Sequence, residues 1–206
     1  MNKTKRQILD TALALFNEQG LAQVSLRTIA DKLTISPGNL TYHFKRREEI
    51  VEVLYYEFVA SVEARFGAID PSAVSLDLIF ELITILTETR LNYRFLMRDF
   101  ISLVAENPSI KKHYAALIKK RKVQSLFFFE KLIEQKILRH AELKNEYENL
   151  YERIQILGNF WITSAVMQGD KLSKATVDRN FEMIVQIIYP YLTTTGKKEW
   201  KQLQLS

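Results

Sequence analysis

Residues 33–50 read LTISPGNLTYHFKRREEI. Ser36 followed by Pro37 is a firm helix opening. The serine hydroxyl can accept from an otherwise unpaired backbone N–H, and a proline at the first helical position gives up an N–H that would have no partner there. The helix so opened is short, with only Leu40 and, at its end, Phe44 suited to a core. A helix that served the core alone would carry a wider apolar stripe. Asn39, Thr41, Tyr42 and His43 are therefore expected to face outward, toward a partner. Gly38 has no side chain to keep a phosphate from the helix N-terminus, and Lys45, Arg46 and Arg47 follow at once as candidates for phosphate contacts.

Working outward, Ile8, Leu9, Ala12, Leu13 and Phe16 recur at helical spacing and predict a first helix over Thr4–Gln19, with Gly20 just past its end. Ser25 is the expected N-cap of a second short helix that turns Leu26, Ile29, Ala30 and Leu33 inward, and Thr34 and Ile35 connect it to the helix at Pro37. Two short helices on a tight turn fit a helix-turn-helix, whose second helix enters the major groove. Ala30 must be small for the helices to approach, and Ile35 and Leu40 must be apolar to pack inward. Taken alone, the SPGN segment is also compatible with a capped surface turn between core helices. A fourth helix is expected from near Arg46, with Glu48 and Glu49 in its first turn, where carboxylates suit the helix dipole.

The whole chain of 206 residues is 47% apolar and 26% charged, with six glycines and four prolines, a composition for long helices. Further helices are expected near 72–90, 92–106, 108–138, 143–169 and 173–193, so the fold class is all-α. GAIDPSAVS, from Gly67, is the clearest break. Functionally, a three-helix helix-turn-helix DNA-binding domain is assigned to 1–47. The long fourth helix joins it to a helical effector-binding and dimerisation bundle at 48–206. The absence of cysteine excludes disulfides, thiolate metal sites and cysteine nucleophiles, and a formal charge of +5 favours an anionic partner. Neither a secretory leader nor a bilayer-spanning run is present, so a cytoplasmic protein without a membrane partner is expected.

The segments ILDTALALFNEQG, SLRTIADKL, ISPGNLTYHF and KRREEIVEVL, covering about Arg6 to Leu54, resemble in order and spacing the TetR/AcrR family of bacterial transcriptional regulators. The resemblance implies a DNA-binding headpiece on a helical homodimer, with an effector pocket in the C-terminal domain. It puts Ser25 and Arg27 at phosphates and Ser36, Gly38, Asn39, Tyr42 and His43 at the DNA surface. Arg47 stands where the family usually carries a phosphate-binding lysine. Three residues depart from the family pattern: Thr34 for a frequent glycine, Pro37 for a frequent lysine, and Thr41 for a common tyrosine. Discrimination between DNA sequences is then expected to fall on Asn39, Tyr42 and His43. The expected function is a repressor released from double-stranded operator DNA by a small apolar or amphipathic effector. The alternative is a helical adaptor that binds a protein or an amphiphile and has no small-molecule induction.

In the C-terminal region Phe127, Phe128 and Phe129 cannot share a helix face, since successive residues turn by about 100°, so their helix should be buried on more than one side. The charge run Lys111 to Lys122 is expected to be a solvated face. The last two long helices are apolar on two faces, which suggests a partner helix pair. The predicted dimer interface comprises Leu150, Ile154, Leu157, Gly158, Trp161, Ala165, Phe181, Ile184 and Ile188. A second stripe on the first of these helices holds Ile156, Phe160, Thr163 and Met167. Candidate effector-lining residues are Arg90, Tyr93, Phe95, Arg98, Phe100, Tyr114, Phe128, Phe160 and Trp161. Arg90, Arg94 and Arg98 can share one helix face and would need an anionic ligand or, more simply, Asp99, Glu81 or Glu88 as partners. His43, His113 and His140 stand in no catalytic or zinc-binding spacing. The acidic pairs Glu48–Glu49 and Glu146–Glu148 read as solvated, so neither an enzyme nor a metal or other cofactor is expected.

Overall fold

Asn2, Ser25, Ser36 and Ser173 each accept, through a side-chain oxygen, a backbone N–H from the first turn of the helix that follows. These caps set the starts of α1 (Lys3–Gln19), α2 (Leu26–Leu33), α3 (Pro37–His43) and α9 (Lys174–Gln186). The remaining helices are α4 (Arg47–Gly67), α5 (Leu76–Asn92), α6 (Arg94–Glu106), α7 (Pro108–Glu134), α8 (Glu146–Met167) and α10 (Thr194–Leu203). The computed structural model describes residues 2–203. Among these the architecture is all-α, and the only ladder-type pairing is an isolated antiparallel bridge between Leu138 and Leu192. No helix among the described residues is long and apolar enough to cross a membrane.

The chain forms two compact units. The first takes the chain up to Ala64 together with Thr89–His113, and the second takes Arg65–Glu88 together with Tyr114 onward. The first unit buries Ile8, Leu9, Ala12 and Phe16 of α1, Ile29 and Ala30 of α2, Leu40 of α3, and Ile50 and Leu54 of α4. It also holds α6, for reasons visible in α1. The amide of buried Asn17 donates to the Asn92 carbonyl at 2.7 Å and accepts from the Phe95 N–H at 3.1 Å, so both its polar atoms grip the α5–α6 turn. Phe16 packs against Phe95 with ring centroids 5.2 Å apart. Residue 47, the expected end of the DNA-binding domain, is the first residue of α4.

In the second unit the three phenylalanines of α7 point apart, as helical rotation requires. Phe128 stacks on Phe66, Phe129 leans on Tyr147, and Phe127 lies under the Lys131 ammonium. Arg121 departs from the expected solvated basic face. It is buried, with its guanidinium 3.6 Å from the Phe66 ring centroid and donating to Gln124 at 2.7 Å. Three expected helices are shorter than predicted. α7 stops at Glu134 because Lys136 turns into the left-handed region, α8 starts only after Asn145 does the same, and α9 gives way to a 3-10 turn containing Pro190. The sequence reading missed α10. Its Gly196 lies so close to the chain that an added Cβ would come within 2.3 Å of the Ile137 carbonyl oxygen, and Trp200 buries against Phe80.

Glu146 also differs from its expected solvated state. It is buried and takes a two-pronged contact from Arg139, Nη1 at 3.0 Å and Nη2 at 2.8 Å, and the backbone N–H of Glu142 donates to it at 2.7 Å. These donors, the guanidinium first, hold its carboxyl down at about 2.

Candidate nucleic-acid interface

The α2–α3 corner is built by its caps. Ser25 Oγ accepts from the Thr28 N–H at 3.1 Å, and the Thr28 hydroxyl faces back to the Ser25 N–H. Thr34 then takes a left-handed conformation, φ 55°, to turn the chain, in the slot where the family resemblance leads one to expect glycine. Ser36 Oγ accepts from the Asn39 N–H at 3.2 Å and opens α3 on Pro37. Leu40 and Phe44 are buried and anchor the helix from beneath. Ser36, Pro37, Gly38, Asn39, Thr41 and Tyr42 are all exposed, Tyr42 to 84%, and His43 is half-buried with its ring against the edge of Tyr42. The structure thus brings most of the expected DNA-facing residues onto one exposed helix.

Individual residues differ in what they have left to offer. The Thr41 hydroxyl turns back to the Pro37 and Gly38 carbonyls at 3.0 and 3.1 Å, so it is already engaged within its own helix. Arg27 is 85% exposed and within 3.8 Å of Asp31. Lys45 is exposed, and its backbone N–H donates to Glu49, which holds the start of α4. Arg47 is turned inward: it donates to the Leu21 carbonyl at 3.0 Å and contacts Glu48 at 3.4 Å. Lys5 of α1 places its ammonium 5.0 Å above the ring of Phe44, the residue just past α3, a contact between distant positions that the sequence reading did not anticipate.

The nine candidate effector-lining residues are divided between the units. In the first, Phe95 is spent in the core against Phe16, Tyr93 packs on Phe58, Arg98 is exposed beside Gly20, and Arg90 and Phe100 are half-buried. Burial, and then the neighbouring Arg98, push the Arg94 guanidinium below its usual value. Asp99, a possible partner for these arginines, accepts instead from the Leu21 N–H at 3.1 Å. A cleft among Leu21, Arg47, Val51 and Leu103 measures about 20 Å³, room for one water, and is no effector site.

In the second unit Phe128 fills the core beside Phe66, Tyr114 lies 3.5 Å from the Asn159 amide, and Phe160 is 52% exposed. Trp161 is buried, and its indole N–H has no hydrogen-bond partner among the described residues.

The expected dimer-interface residues also divide. Leu150, Gly158, Trp161, Ala165, Ile184 and Ile188 are buried within the chain itself, so little of them remains for a partner, while Ile154, Leu157 and Phe181 are half-buried. The exposed apolar side chains of these helices are Ile156, Phe160, Val166 and Met167 on α8 and Met183 on α9.

Residues 8–54 match the model of bacterial regulatory proteins of the tetR family, and residues 57–200 match that of the TetR bacterial transcriptional repressor. The transcriptional regulator UidR of Escherichia coli is 27% identical over 118 residues, 57% of this chain; that match spans 58% of its own length. The repressor KstR2 of Mycobacterium tuberculosis is 35% identical over 75 residues, 36% of this chain and 38% of its own. Among solved structures, a TetR-family regulator from Marinobacter aquaeolei superposes with a TM-score of 0.88 at 21% identity, covering 98% of this chain and 97% of the other. KstR2 superposes at 0.71 with 18% identity, covering 94% and 97%. With two family models together matching most of its length, the chain belongs to the TetR family of bacterial transcriptional regulators.

Proposed function

We propose that this protein is a sequence-specific DNA-binding repressor that works as a homodimer in the cytoplasm and leaves its operator when a small molecule binds. The observation that carries the reading is the contrast within α3. Capped by Ser36 and pinned by Leu40 and Phe44, it leaves Asn39 and Tyr42 exposed, with His43 partly so, at its solvent face. Rigid presentation of polar and aromatic side chains is what reading base edges in a groove demands. Two copies suit two half-sites about one helical turn of DNA apart. The exposed Ile156, Phe160 and Met167 of α8 and Met183 of α9 supply an apolar surface for the second copy, which moves the proposed interface off the residues buried in the protomer.

Two observations support the effector. A buried indole N–H without a partner costs about 1–3 kcal/mol, a cost that a bound oxygen acceptor would remove from Trp161. Structural neighbours include a putative regulator from Saccharomonospora viridis solved with choline and SmeT solved with triclosan.

The test is a footprint of the protein on the DNA upstream of its own gene, repeated with Asn39→Ala and Tyr42→Ala. Both variants should lose operator preference while keeping weak, salt-sensitive binding to bulk DNA. Normal footprints from both would remove α3 from the reading. A partner protein retained at high salt, with no footprint, would instead support the adaptor.

A further inference from the structure

We infer that Arg47 is a positioning residue and not a phosphate contact: through the Leu21 peptide and Asp99 it fixes the start of α4, and with it α3, against α6. The guanidinium Nη1 donates to the Leu21 carbonyl at 3.0 Å, and the N–H of the same Leu21 donates to Asp99 Oδ2 at 3.1 Å. One buried residue therefore carries a charged partner on each of its backbone polar groups, one from α4 and one from α6. The Leu21 carbonyl also accepts from the Val24 N–H at 3.4 Å, but hydrogen bonds to charged groups are the stronger kind, so the shorter guanidinium bond is the one that ties it to α4.

The exposure of the neighbouring arginines separates the two roles. The side chains of Arg27 and Arg46 are 85% and 75% exposed, whereas that of Arg47 is only 27% exposed. To reach a phosphate it would have to release Leu21. A guanidinium suits the inward task, because its fork can hold the Leu21 carbonyl and Glu48 together, which the compact ammonium of lysine does less well. Asn17 completes the arrangement from α1 by gripping Asn92 and Phe95. As a result, a shift of α6 against α1 and the turn after it strains the Asn17–Phe95 and Leu21–Asp99 bonds, and a rotation of the start of α4 strains the Arg47–Leu21 bond. Arg47 lies three residues past Phe44, so the same bond limits how α3 is presented.

The inference rests on α3 as the DNA-reading helix. Its test uses the full chain and the operator fragment recovered by footprinting, with affinity measured over a series of salt concentrations. A phosphate contact contributes about −0.9 to the log–log salt slope, so its loss would flatten the slope by that amount for each Arg47. Arg47→Ala is expected instead to weaken binding about tenfold at every salt concentration with the slope unchanged, a coupling effect of ordinary size. Asp99→Ala decides by sign. Removing a carboxylate should on charge grounds strengthen binding to a polyanion, whereas loss of the Leu21 tie weakens it. A slope flattened by about 0.9 per Arg47, or Asp99→Ala binding as tightly as the parent, overturns the inference. If circular dichroism shows Arg47→Ala unfolded, Asp99→Ala alone decides. Tyr42→Ala runs beside them: if it keeps operator preference, the failure belongs to the reading of α3 and not to Arg47.

Discussion

α3 and α8 are both amphipathic helices, yet they carry information in opposite ways. α3 has seven residues, a cap, a proline and one buried apolar side chain, so the few core positions leave little choice about what faces out. α8 has twenty-two residues with apolar side chains on most sides. Leu150 and Trp161 of α8 are buried in the protomer, while Ile156 and Phe160 are exposed, though all four are large, mainly apolar side chains. A short helix with scarce apolar residues fixes its own orientation. A long one with an excess needs its neighbours to fix it.

The sharpest way to break this comparison is to exchange roles within α3. Leu40 is fully buried, so Leu40→Ala should cost the protein about 2–5 kcal/mol in urea unfolding and abolish DNA binding with it. Tyr42→Ala, at an exposed position two residues on, should change stability by less than about 0.5 kcal/mol. Equal costs would mean that α3 does not separate core from surface as described. On α8 the corresponding variant is Phe160→Glu. Because the ring is exposed in the protomer, the helix should fold normally while sedimentation shows a shift from dimer to monomer. A dimer that persists at low concentration would place the partner surface elsewhere.

The same contrast explains what was legible in the sequence. The caps at Ser25 and Ser36, the proline at the first turn of α3 and the inward Ile29, Ala30 and Leu40 follow from rules that act over four residues, and the structure agrees with each. What was not legible depends on residues far apart in the chain. Arg47 reaches Leu21 across 26 positions, and Asn17 reaches Phe95 across 78. α10 and the close approach of Gly196 to Ile137 likewise needed the fold to bring distant segments together. Glu146 was misread because Glu148 beside it looks alike in sequence, and only the loop from Ile137 to Asn145 delivers Arg139 to one of the two.

That ion pair predicts a response to acid in the second unit. Glu146 has its folded value lowered from about 4.5 to about 2, so it favours the folded state fully above pH 4.5, and this contribution disappears as the pH falls from 4.5 toward 2. The urea midpoint should therefore drop across that window more steeply in the parent than in Glu146→Gln, which has no such proton to gain. Parallel pH profiles would show that the Arg139 contact does not lower the carboxyl in solution.

The smallest effect tests the headpiece at its one strained residue. Thr34 is β-branched and sits at φ 55°, a conformation that costs an L-residue roughly 1–2 kcal/mol. Thr34→Gly relieves that cost but gives the unfolded chain more freedom, worth about 0.4–1 kcal/mol against folding. The difference favours glycine, so the variant should be more stable by up to about 1 kcal/mol in urea unfolding, with DNA binding unchanged. One local contact opposes this outcome: the Thr34 hydroxyl donates to the Leu33 carbonyl at 2.7 Å. Since both groups belong to exposed or half-exposed residues that water can serve as well, this bond should contribute little. A destabilised Thr34→Gly would show that the bond outweighs the backbone strain, and that threonine here serves the turn as well as glycine would.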